Sequence, residues 1–190
     1  TLATNRGITI GSNNAIIDVD NTTTLTYGGA ITGTGDFTKT GAGTLNLTGT
    51  ADFSGSTNIS EGGVGLSNTL PSGSDLTIDG TLNLLSSFSI NSLSGSGTVN
   101  LYTYNLTVNN QSASDNATFS GDITSSSGRF IKNGDGSQTL SGTNFFAGTT
   151  INGGTLIVSS DVNLGTSPGS TDSDNIILAG GTLKSTSTFT

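Results

Sequence analysis

The sequence predicts an all-β chain wound from many short strands, and three observations carry that prediction. Gly, Ser, Thr and Asn make up 110 of the 190 residues, and these types form helices poorly. Leu, Ile, Val and Phe number 46, enough for a thin core but not a thick one. Apolar residues recur two apart, the period of a half-buried strand, and no stretch of ten shows helical spacing.

In chain order the apolar pairs are Ile8/Ile10, Leu45/Leu47, Leu76/Ile78, Leu82/Leu84, Val99/Leu101, Leu106/Val108 and Leu156/Val158. Each is flanked by Thr, Asn, Ser or Asp, which face outward when the pair faces inward. Gly-Gly, Asn-Gly, Ser-Gly and Asp-Gly dipeptides separate them as turns. A β-sandwich of this length needs more Val, Ile, Tyr and Trp on its inner faces. A parallel β-solenoid needs one Leu or Ile at each inward position, with Thr on Thr and Asn on Asn stacked outside. The composition fits the solenoid. With about 20 residues per coil the chain makes roughly nine coils, rising ~4.8 Å each.

A longer repeat overlies the short rhythm. Phe37 matches Phe130, Gly43 Gly136, Leu47 Leu140, Gly49 Gly142, Phe53 Phe146 and Gly55 Gly148, all 93 residues apart. The spacing falls to 92 at Ile59 and Ile151. Residues 1–190 therefore read as a single solenoid segment with two long units, about 28–110 and 118–190.

Absent residue types narrow the function. There is no Cys, His, Met or Trp, so disulfides, thiolate sites and imidazole chemistry are excluded. Five basic residues against thirteen acidic ones leave a net charge of −8 and a pI near 4.1. Such a chain does not favour nucleic acid or an anionic membrane surface. No apolar run approaches the ~20 residues of a membrane span. The opening at Thr1 carries no signal-peptide pattern and reads as a processed or excised chain.

One motif is specific. From Gly33 it runs Gly33, Gly35, Phe37, Lys39, Gly41, Gly43, Leu45, Leu47 and Gly49, then Phe53, Gly55, Thr57, Ile59, Gly62 and Val64. The second copy keeps Phe130, Lys132, Gly134, Gly136, Leu140, Gly142, Phe146, Gly148, Thr150, Ile151, Gly154 and Leu156. It departs at Ser125–Ser127, where the opening glycines are lost, and at Gln138, where a strand Leu is expected. This pattern resembles the autotransporter-associated β-strand repeat, or passenger-associated transport repeat, of bacterial passenger domains. The resemblance implies a right-handed parallel β-helix, exported across the outer membrane to the cell surface, with a role in passenger secretion and folding. Such proteins usually end in an outer-membrane barrel, whose ~10-residue strands and aromatic girdles have no counterpart here.

Asp18 and Asp20 stand two apart, on one strand face, and Asp172 and Asp174 lie in a turn; either pair could supply oxygens to Ca²⁺. Their plainer role is as solvated surface acids. A polysaccharide-acting solenoid needs paired carboxylates across coils, and the twelve Asp and Glu61 show no cluster with a basic partner. Arg6, Arg129 and Lys184 are scattered, while Lys39 and Lys132 hold equivalent repeat positions, which argues for a structural role. Phe37, Phe53, Phe130 and Phe146 could form a carbohydrate platform, but their recurrence fits interior packing stacked along the axis. Irregular placement of Thr argues against an ice-binding face. No catalytic, metal or cofactor-binding residue is assigned.

The expected function is a structural and interaction segment, a passenger stalk supporting secretion and adhesion through a surface ligand or a receptor on a host or neighbouring cell. The alternatives are a self-assembling extracellular fibre, built by end-to-end association, and a polysaccharide-acting β-helix enzyme.

Overall fold

The computed structural model describes residues 1–68, 70, 71 and 73–188, and places them in a parallel β-solenoid without α-helix. Strands are numbered in chain order. The first face carries β1 (Ile8–Ile10), β4 (Ile31–Gly33) and β7 (Ala51–Phe53), then β12 (Phe88–Ile90), β15 (Leu106–Val108), β18 (Phe130–Lys132), β20 (Thr149–Ile151) and β22 (Ile176–Leu178). The second carries β2 (Ala15–Asp18), β5 (Phe37–Thr40), β8 (Thr57–Ile59), β10 (Asp75–Ile78) and β13 (Ser92–Ser94), then β16 (Asn116–Phe119), β19 (Ser137–Leu140), β21 (Thr155–Val158) and β23 (Thr182–Ser185). The third carries β3 (Thr24–Tyr27), β6 (Thr44–Leu47), β9 (Gly63–Leu66), β11 (Thr81–Leu84), β14 (Thr98–Tyr102) and β17 (Asp122–Ser125). It continues through a bridge from Thr124 to Phe145 and a 3-10 turn at Asp161–Leu164.

The ladders are parallel and largely in register, so like sits on like. Leu25 pairs with Leu45, Leu45 with Val64, Val64 with Leu82 and Leu82 with Val99. These inward residues are buried or nearly so and form one continuous core file. Burying each such side chain stabilises by roughly 1.5–3 kcal/mol. Outside, Asn100 donates to Asn83 at 2.7 Å and Asn152 to Asn133 at 2.8 Å. Thr77 and Ser94 share a hydrogen bond of 2.9 Å. The expected stacking of like polar residues is what the rungs display.

Two expectations need correction. The solenoid makes about seven turns that are complete on all three faces, against the roughly nine full coils expected, although nine strands stack on the second face. The turn at Asp75–Leu84 and the last one at Ile176–Ser185 present strands on only two faces among the described residues. Coil length is also uneven: the register advances 17 residues from Asp75 to Ser92 but 27 from Thr155 to Thr182, because loops leave the stack. The phenylalanines, moreover, do not form one axial column. Phe37 opens the first repeat copy on β5, the second face, whereas Phe130 opens the second copy on β18, the first face. The 93-residue repeat is not a whole number of turns, and its second copy is rotated by one face.

Candidate functional site

The carboxylate candidates are dispersed. Asp18 ends β2 and accepts from the Thr40 hydroxyl at 3.0 Å. Asp20 lies beyond the strand in a turn whose carbonyl accepts from Thr23, so the two do not share a strand face as the spacing implied. The Asp172 carboxylate accepts from the backbone of Asp174 at 3.0 Å, a local turn. Two open clefts have volumes of about 560 and 640 Å³, and each is lined by a single carboxylate, Asp52 and Asp79 respectively. Among the described residues no three acids converge on a cation-sized site.

The lysines of the repeat are buried. Lys39 Nζ donates to the carbonyls of Thr40 (2.6 Å), Gly41 (2.7 Å) and, one rung on, Glu61 (3.4 Å). Lys132 Nζ repeats the arrangement with Asn133, Gly134 (3.3 Å) and Gly153 (3.5 Å). Its ammonium gathers the carbonyls that a corner turns inward and ties each corner to the next coil. Gly41 and Gly134 follow at φ +72° and +66°, the left-handed conformation that lets the chain bend under the lysine. Burial pushes Lys132 down to about 8, with Asp135 and Asp115 partly offsetting it, and lowers Lys39 likewise against Asp18 and Glu61.

That shift sets the sign of a pH effect. The unfolded chain keeps the lysine near its ordinary 10.5. Between about pH 8 and 10.5 the unfolded state therefore holds a proton that the folded state has lost, and stability rises with pH through this group. Below about 8 both states are charged, and the desolvation cost is carried in full. Lys132→Met is expected to cost about 1–3 kcal/mol at pH 7 by stranding the corner carbonyls. It should also flatten the rise between pH 8 and 10.5. Denaturant unfolding of both chains across that range checks both parts.

Buried amides perform a related task where ladders break. The second face has no continuous ladder between β13 and β16, which pack side by side but are joined by the isolated Gly95–Phe119 bridge. Gln138, on β19, sits in register with Ala117. Its fully buried side chain extends past that small residue to Leu93, accepting from the backbone N–H (3.3 Å) and donating to the carbonyl (2.8 Å). On the third face, Asn144 Oδ1 accepts from Ile123 N–H at 2.9 Å, and its amide donates to the Asn163 carbonyl at 2.7 Å. Asn163 in turn donates to the Gly142 carbonyl at 2.8 Å. These asparagines went unassigned in the sequence. Gln138 did register, as a missing strand Leu.

The outward faces hold what remains for recognition. Phe37, Phe53, Phe130 and Phe146 are buried, paired at ring-centroid distances of 6.1 and 5.8 Å, and offer no face to a ligand. Among the described residues the exposed large apolar side chains are instead Ile16, Leu85, Tyr102, Phe145, Val162 and the terminal rung Ile176–Leu178. Arg129 anchors the loop beside Phe145, donating to the Asp174 carbonyl at 2.6 Å.

Comparison with known proteins bears on this arrangement of buried lysines and corner glycines. The passenger-associated-transport-repeat family matches residues 37–64 and 130–158, the segments that carry Lys39 and Lys132. The chain carries two copies of that repeat, and its likeness to a known protein supports an autotransporter passenger segment. Over 209 aligned residues it is 35% identical to the adhesin BmaC autotransporter of Brucella suis biovar 1 (strain 1330). The alignment covers 98% of this chain and 6% of that relative's length. No solved structure matches. A passenger segment of this kind lies outside the cell or on its surface. None of the described helices is long and apolar enough to cross a membrane.

Proposed function

We propose that the segment is a non-catalytic β-helical stalk that supports passenger secretion and presents an adhesive surface to a ligand or receptor on another cell. Within it the two units, about 28–110 and 118–190, act as successive lengths of one rod. The observation that carries this reading is where the polar chemistry is spent. The buried lysines and the buried amides of Gln138, Asn144 and Asn163 donate to backbone carbonyls, which leaves recognition to the outward faces. The name of the Brucella relative, an adhesin, agrees with it.

The test places the segment between the leader and the translocator of an autotransporter reporter. Expected are surface display, a protease-resistant core spanning both repeats, and increased attachment to host or neighbouring cells. Deleting 130–158 should reduce display. Undiminished display after that deletion would overturn the stalk role, and attachment equal to that of the empty reporter would overturn adhesion.

A further inference from the structure

We propose that Tyr102 and Phe145 form a binding site for a neutral oligosaccharide on the third face. The inference rests on the adhesion reading and deepens it by naming the chemistry of the ligand. Both rings stand in solvent, 50% and 52% exposed, on a chain whose other described phenylalanines are buried. Tyr102 is also held against its own preference. Its φ of 53° lies in the left-handed region, which costs a bulky residue roughly 1–2 kcal/mol. It sits where β14 slips register against β17, between Asn100 and Tyr102, and such irregularities re-aim side chains.

The surroundings fix the ring and leave it accessible. Its hydroxyl donates to Asn83 Oδ1 at 3.1 Å, and Asn100 donates to the same oxygen at 2.7 Å. Thr124 donates to Asn100 Oδ1 at 2.6 Å. Beside the ring lies a cleft of about 220 Å³ lined by Asn100, Thr124, Ser125 and Ser126. Phe145 lines a second, of about 250 Å³, with Asp172 and Asn175. Ser125 and Ser126 line both clefts, so the two run together along the rod.

The rung spacing makes this an extended site. Tyr102 pairs with Ser125, and Thr124 bridges to Phe145, so the two backbones are two rungs, about 10 Å, apart, and the Tyr102 ring leans one rung farther back toward Asn83. A chain of about three pyranose units reaches both rings. Their C–H faces are apolar and pack on aromatic rings, while their hydroxyls suit amide, hydroxyl and carboxylate partners. The net charge of −8, with Asp172 at the second cleft, disfavours sulfated or uronic-acid chains.

The test uses neutral tri- to hexasaccharides of glucose, galactose and N-acetylglucosamine, with sulfated and sialylated chains for comparison, read by saturation-transfer NMR and titration. Tyr102→Asn removes the ring but keeps a residue that tolerates the left-handed region; Phe145→Ser removes the other ring, and Ile16→Ser alters a remote exposed residue. We expect saturable binding of a neutral chain, weakened about tenfold or more by each aromatic variant and unchanged by Ile16→Ser. Tyr102→Phe, which keeps the ring, should retain most of it. Should Tyr102→Asn lower the melting temperature, Phe145→Ser decides alone. Absence of neutral-glycan binding, preference for the anionic chains, or equal binding by Phe145→Ser would overturn the site. Cell attachment that persists in Phe145→Ser would overturn this site while leaving the adhesion reading intact.

Discussion

Gly134→Ala is expected to lower stability by about 3 kcal/mol or more and to open the coils around the second lysine. Two costs combine. Gly134 lies at φ +66°, where Ala loses about 1 kcal/mol. An added Cβ would also overlap the Asn109 carbonyl oxygen, which belongs to backbone rather than to a side chain that could swing away. Asn109 is held in turn, since its N–H donates to the Ile90 carbonyl at 2.9 Å. Relief would require the corner to move, taking with it the Gly134 carbonyl that receives Lys132. Overpacking of this kind costs roughly 1–3 kcal/mol in addition. Gly7→Ala supplies the control: nothing lies within 4 Å of the added carbon, and the change should stay within about 0.5 kcal/mol. Equal denaturation midpoints for the two variants would refute the corner geometry.

Gln138→Leu is the second large effect, and it runs against the family pattern. Leu is the residue the repeat expects at that strand position, and its volume suits the core. Here it should destabilise by about 2–4 kcal/mol, because the Leu93 N–H and carbonyl lose the amide that reaches them across the break, and each stranded buried group costs about 1–3 kcal/mol. The diagnostic readout is local. Amide exchange at Leu93 should accelerate strongly in Gln138→Leu, whereas a simple packing defect would spread over the inward neighbours of β19. Slow exchange at Leu93 in the variant would show that the amide does not replace the missing rung.

These two residues also mark how far the sequence could be read. Alternation at pairs such as Leu82/Leu84 and Val99/Leu101 identifies strands because inward and outward positions differ in composition, and a solenoid has no other layer to blur the contrast. The lysines were legible as structural because they recur at one repeat position. What Gln138 does was not legible. Its role depends on a gap between β13 and β16 and on a partner 45 residues away, and neither leaves a local signature. A spacing of two puts Asp18 and Asp20 on one face only if the strand continues, and β2 stops at Asp18. The recurrence of Phe37 and its equivalents pointed to interior packing, which is where they lie, and carried no signal for Tyr102 and Phe145. Phe145 precedes buried Phe146, and alternation turns only one of two adjacent rings inward. Tyr102 owes its exposure to a slip in strand register that no local pattern announces.

The one-face rotation between the repeat copies has a consequence for how such a rod evolves. A duplicated cassette need not contain whole turns to be accommodated, since its lysine corner and aliphatic pairs fit whichever side of the prism they meet. Each gain or loss of a 93-residue cassette would then do two things at once. It would change the reach of the rod, and it would swing everything distal to it to a new compass bearing. Variation in copy number would thus re-aim distal surfaces without altering a single residue within them.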